Sequence, residues 1–134
     1  MSGTATSSLI RNLTITGNTI FSSDGQLAVN TQAGIVIQGV QNALIANNTV
    51  SNMGSNGIVV LGSPWGDNNI VIDRNNLKNI GLNKTPVGHE GILIDTHGSS
   101  VVPVRSVFDS ANIIIFGNTM TTLGELWAAT RQVQ

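Results

Sequence analysis

The chain has 134 residues, 7 acidic and 6 basic side chains, a formal net charge of −1 and only 10% charged residues. That length fits one domain, here residues 1–134. Without clustered Lys or Arg, neither nucleic acid nor an anionic membrane is an expected partner, and with no Cys there are no disulfides, thiol nucleophiles or Cys-built metal sites.

The start, Met1-Ser2-Gly3-Thr4, lacks a signal-peptide pattern. It is compatible with a domain cut from a longer chain. No apolar run approaches the ~20 residues of a membrane span. Ile, Val and Thr favour strands, and Asn and Gly favour tight turns. Lys and Glu, the long helix formers, are scarce. Mostly β structure is expected.

Along the chain one template, Asn-Φ-x-Φ-x-x-Asn-x-Φ, recurs at Asn12–Ile20, Asn42–Val50, Asn69–Leu77 and Asn112–Met120. Ala43 is its one weakly apolar position. A second unit, Gly-Ile-x-(Ile/Val), lies between the copies: Gly34-Ile35-Val36-Ile37, Gly57-Ile58-Val59-Val60 and Gly91-Ile92-Leu93-Ile94. Each piece is too short for a helix and alternates with period two, as a strand with one buried face does. Three short strands per repeat, cycled, describe a right-handed parallel β-helix of about four turns, with strands stacked ~4.8 Å apart. Asn18, Asn48, Asn75 and Asn118 fall at the bend between second and third strands. They are expected to form an interior or corner ladder, because Asn tolerates left-handed backbone angles and bonds its own stacked copies. Asn12, Asn42, Asn69 and Asn112 are expected to stack likewise.

This pattern resembles the pectate-lyase-like superfamily of right-handed β-helices, with NosD/CASH-type repeats, over Ile10 to Leu123. The resemblance implies polysaccharide as partner and an extracellular or virion-surface location of bacterial or phage origin.

Long connections, at 21–33, 62–68, 78–90 and 97–111, all flank the first-strand sheet. Insertions of this kind gather on the functional face of repeat folds. Open β edges at both ends of so short a stack invite pairing. The expected partners there are a homo-oligomer such as a trimer, or further turns of a longer chain. The stretch Glu125-Leu126-Trp127-Ala128-Ala129-Thr130-Arg131 looks helical and suits a short C-terminal cap, with Leu126 and Trp127 packed on the last turn.

Asp95-Thr96-His97 breaks the repeat. With Ile92 and Ile94 inside, Leu93, Asp95 and His97 face outward, and His89 joins them if the strand reaches it. Asp95 and His97 lie two apart, roughly 7 Å between Cα atoms. A carboxylate beside an imidazole raises its pKa and fixes its tautomer, which suits acid–base work. A polar strand end with Asp95 opening a turn is the plainer reading.

Asp-x-His here is similar to the Asp-Pro-His motif of alginate C5-epimerases. That resemblance implies proton abstraction from a uronate, with Asp95 and His97 as acid and imidazole. Those enzymes also use a Tyr, and this chain has none.

Arg105 suits a sugar carboxylate, as do Lys84 and Lys78 in the other long loop. Trp65, in Ser63-Pro64-Trp65-Gly66, suits stacking on a sugar ring. Glu90 lies beside His89. Asp95, His97, His89 and Glu90 mix N and O donors, but no cofactor or metal is expected. Calcium is the alternative, and it would want more clustered carboxylates. Asp73 and Arg74 are expected to form a surface pair. The chain thus reads as a lyase- or epimerase-type protein, or as a non-catalytic sugar-binding module of a tail spike or surface protein.

Overall fold

A computed structural model describes residues 10–22, 33–61, 68–82, 90–95, 111–123 and 130–131. The described residues contain strands and turns and no helix. In chain order the strands are β1 (Ile10–Thr16), β2 (Thr19–Phe21), β3 (Ile35–Gln38), β4 (Val40–Ala46), β5 (Thr49–Met53), β6 (Ile58–Leu61), β7 (Asn68–Asp73), β8 (Asn76–Ile80), β9 (Ile92–Asp95), β10 (Ala111–Phe116), β11 (Thr119–Leu123) and β12 (Thr130–Arg131).

They form three four-stranded sheets. One runs β1-β4-β7-β10, the second β2-β5-β8-β11 and the third β3-β6-β9-β12. All pairs are parallel. The chain visits the three sheets in the same cyclic order, so each strand stacks on the same strand of the previous repeat. This is a solenoid-like, all-β arrangement.

The repeat residues set the register. Leu13, Ala43, Ile70 and Ile113 align as one inward row, and Ile15, Ile45, Ile72 and Ile115 as the next. Ile20, Val50, Leu77 and Met120 line the second sheet. Ile35, Ile58 and Ile92 line the third. Ile45, Ile58, Ile70, Ile72 and Leu77 are fully buried. Period two has put every second residue into one apolar column. Burial fails only where stacking stops. Ile115 occupies the same row as Ile72 yet is 44% exposed, because β10 is the terminal strand of its sheet.

The glycines of the second unit have a steric cause. A Cβ on Gly57 would lie 2.5 Å from the Gly91 carbonyl oxygen and 3.2 Å from Leu77 Cδ1. A Cβ on Gly34 would overlap the Val50 side chain and sit 2.8 Å from the Gly57 oxygen. The same close approach lets Ile35 N donate to Gly57 O (3.0 Å) and Ile58 N to Gly91 O (2.9 Å).

The bend between the first and second sheets is two residues long in every repeat. Its first residue is left-handed throughout: Gly17, Asn47, Arg74 and Gly117. Its second residue is the ladder Asn, buried at Asn48 and Asn75, half-buried at Asn118 and exposed at Asn18. The left-handed role therefore falls on the neighbour, not on Asn18, Asn48, Asn75 and Asn118 as their residue type suggests. Asn12, Asn42, Asn69 and Asn112 are left-handed as well, with φ between 56 and 60°.

The helix-like tail is corrected at its end. Thr130 and Arg131 form β12, in register with Ile94 and Asp95. Leu126 and Trp127, expected to cap the stack, lie outside the described residues. At these two residues the pairing edge of β9 outweighs the helical expectation, a weak prior that tertiary context overrides.

Candidate functional site

Two Asn ladders hold the bends. Asn18 Nδ2 donates to Asn48 Oδ1 (3.0 Å), Asn48 Nδ2 to Asn75 Oδ1 (2.9 Å) and Asn75 Nδ2 to Asn118 Oδ1 (2.9 Å). Each of those oxygens also accepts the backbone N–H of the donating Asn. The second hydrogen of each amide reaches a strand carbonyl: Asn48 to Ile15, Asn75 to Ile45 and Asn118 to Ile72. Asn48 and Asn75 are 1% exposed, and their side-chain hydrogen bonds remove the cost of burying an amide. The outer ladder runs Asn112, Asn69, Asn42, Asn12, each Nδ2 donating to the next Oδ1. A further rung, Asn79 Nδ2 to Asn52 Oδ1 (3.0 Å), lies in the second sheet, and both residues are left-handed. Its signal was the shared Φ-x-Asn-Φ of Val50–Met53 and Leu77–Ile80, a spacing outside the template.

Against this scaffold the third sheet is where the sequence departs from repetition. Ile92 and Ile94 are buried, 4% and 7% exposed. On the opposite parity Val36 is 52% exposed and Val59 buried, with Leu93 between these extremes. The Asp95 Cα pairs with Leu61 on one side and Arg131 on the other, so the column reads Gln38, Leu61, Asp95, Arg131. The acid enters a neutral column, and a cationic residue follows in the adjacent strand.

Glu90 lies two residues before the same strand. Its N–H donates to Asn56 Oδ1 (2.8 Å) and its carbonyl accepts from Gly57 N (3.1 Å). Its side chain is half-buried, and Oε2 is buried with no hydrogen-bond partner among the described residues. Asp95 lies five residues on, at the far end of β9, and Asn56 is a partner that sequence reading did not identify. His89, His97, Arg105, Trp65 and Lys84 lie outside the described residues. Lys78 is in β8, in register with Ser51 and Thr121, on the second sheet and not on the sheet of Asp95.

The expected pair of Asp73 and Arg74 is present, Oδ2 to Nη2 at 2.6 Å, but it is not a surface pair. Arg74 is exposed, whereas Asp73 is 3% exposed and its Oδ1 has no partner among the described residues. Asp73 stacks between Ala46 and Phe116, whose strands cover it from both sides. Among the described residues no three His, Cys, Asp or Glu side chains come together to hold a metal ion.

Parallel strands in three cyclically visited sheets define the class as an all-β, solenoid-like protein. Compared with protein-family models, with curated proteins and with solved structures, the chain finds no match.

Proposed function

We propose that the chain is a right-handed parallel β-helix of the pectate-lyase-like kind, with about four turns. The handedness follows from the rule that nearly all parallel crossovers are right-handed. Its third-sheet face acts on an acidic polysaccharide, at a cell or virion surface. The observation that carries this reading is the place of Asp95, the one acid in its column, after neutral Gln38 and Leu61 and with Arg131 in register beside it. A polyuronate needs both: a base for its acidic C5–H and a cation for its carboxylate.

In this reading Asp95 and His97 divide the proton transfer. One takes the C5 proton. The electron pair then either expels the C4 oxygen, leaving a C4–C5 double bond, or is reprotonated from the other face, giving the epimer. Arg105 and Lys84 neutralise the uronate carboxylate, Trp65 stacks on a ring, and His89 and Glu90 flank the site. The step needs no cofactor. The test is incubation with uronate polymers, read as absorbance of the unsaturated product or as a changed uronate ratio. Activity lost in Asp95→Asn and in His97→Ala is expected. Turnover that persists in both variants assigns the chemistry elsewhere.

A second reading is favoured by a different observation. β10 presents Ile114, Ile115 and Phe116, each 44–55% exposed, on a terminal strand. A non-catalytic module of a tail spike or surface protein would use such a surface for assembly, and would bind glycans without turnover.

A further inference from the structure

We infer that the two ends of the solenoid are complementary to each other, so that copies of this chain stack head to tail along its axis. The partner is a second copy of the chain, and the surfaces are the edges of the first and last strands in each sheet, which pair with no further strand among the described residues.

The inference rests on the polarity of the Asn ladders. In the inner ladder every amide donates toward the C-terminal end of the stack: Asn18 to Asn48, Asn48 to Asn75, Asn75 to Asn118. At the last rung Asn118 has no further Asn, and its Nδ2 turns to Phe116 O at 3.0 Å. At the first rung Asn18 Oδ1 accepts from no donor among the described residues, although the oxygens of Asn48, Asn75 and Asn118 each accept two. The outer ladder runs the opposite way, from Asn112 to Asn69 to Asn42 to Asn12. It leaves Asn112 Oδ1 as acceptor at one end and Asn12 Nδ2 as donor at the other. Among the described residues each end therefore has one acceptor without a donor, Asn18 Oδ1 at the first and Asn112 Oδ1 at the last, and one terminal amide donor: Asn12 Nδ2 at the first, and at the last Asn118 Nδ2, whose hydrogens rest on Ile72 O and Phe116 O until a further rung replaces Phe116 O.

The apolar cross-section matches too. Leu13, Ile15 and Ile20 at the first end correspond in register to Ile113, Ile115 and Met120 at the last. Leu13, Ile15, Ile20, Ile113 and Met120 are only partly buried, and Ile115 is 44% exposed. Moving a second copy one strand spacing beyond β10 sets its β1 on β10 as β10 sits on β7, covering Ile115 with Ile15. Asn118 then donates to the second copy's Asn18, and that copy's Asn12 donates to Asn112. Only a parallel, translated copy also continues the strand rows in the register of the internal repeats. Such a heterologous contact along a straight axis does not close on itself, so it predicts growth and not a fixed oligomer.

Sedimentation velocity of the full chain over a wide concentration range tests this. The expected result is a mean mass that rises continuously without a plateau. Ile115→Glu blocks the last face and Ile15→Glu the first, with far-UV circular dichroism confirming that each folds. Each variant alone is expected to remain monomeric. An equimolar mixture is expected to form a dimer, because one unblocked face of each kind remains. A mass that stays monomeric overturns the inference, as does a plateau at dimer or trimer. Growth that persists in both single variants overturns it as well. If either variant fails to fold, the concentration series of the unmodified chain decides alone.

Discussion

Asn75 accepts both the backbone and side-chain N–H of Asn48 on one oxygen, at 3.0 and 2.9 Å, inside a wall where both residues are 1% exposed. One side chain thus satisfies the bend of its own repeat and ties it to the repeat before.

Replacing Asn75 with Ala takes a partner from several groups at once: Asn48 N, one hydrogen of Asn48 Nδ2, and Ile45 O, whereas Asn118 Oδ1 keeps the backbone N–H of residue 75. At about 1–3 kcal/mol for each unsatisfied buried group, partly relieved by relaxation, the expected loss is about 3–5 kcal/mol. Asn18→Ala, at the exposed first rung, loses about 1 kcal/mol. Urea denaturation of the two variants, compared at equal slope, measures the difference.

Glycine substitutions separate two causes. Gly57→Ala drives a Cβ to 2.5 Å from the Gly91 carbonyl oxygen. It is expected to cost at least about 1–3 kcal/mol as overpacking. Gly17 has nothing within 4 Å of its ideal Cβ and a φ of +69°. Gly17→Ala therefore meets only the left-handed penalty, about 1–2 kcal/mol, and Gly17→Asn is milder because Asn47 already holds that place in the next repeat. Thermal melts of the three variants rank them.

Arg74 is left-handed at φ 49° in a bend position that Gly17 and Gly117 also hold. Arg74→Gly relieves that strain but leaves the buried Asp73 carboxylate without its cation. The net expectation is a loss of about 1–3 kcal/mol. Adding Asp73→Ala copies the residue at Ala46 and removes the orphaned charge. The double variant is expected to be at least as stable as the natural chain. Chemical denaturation of the single and double variants checks the order.

Strand phase gives opposite expectations for two isoleucines on neighbouring strands. Ile72 is fully buried, and Ile72→Ala is expected to cost about 2–5 kcal/mol. Ile114 is 55% exposed, in the row that Thr14 begins. Ile114→Thr is expected within about 0.5 kcal/mol of the natural chain. Equal losses in the two would mean the inward and outward rows are misassigned.

The repeat was legible because its signal is periodic. Alternating Ile and Val fixed the inward rows, and the two Asn positions of the template fixed both main ladders. The Asn52–Asn79 rung was not, because it spans only two of the repeats. Nor was the burial of Asp73, because alternation alone assigns that position to the outside and cannot show that Ala46, Phe116 and their strands close over it. β12 hid behind the helix preference of its neighbours. Of the candidate residues beyond Ile94, only the strand position of Asp95 was legible, because β9 still carries period two there. Beyond it, at His97 and Arg105, and before it at His89, the alternation in the sequence stops and leaves no periodicity from which to derive a position.

The central claim is that Ile15, Ile45, Ile72 and Ile115 stack as one inward column of parallel strands. Methyl–methyl nuclear Overhauser contacts on the isoleucine-labelled chain read it directly. Contacts from Ile15 to Ile45, Ile45 to Ile72 and Ile72 to Ile115, with none from Ile114 to this column, are the predicted result. An antiparallel pattern, or contacts that skip from Ile15 to Ile72, would contradict it.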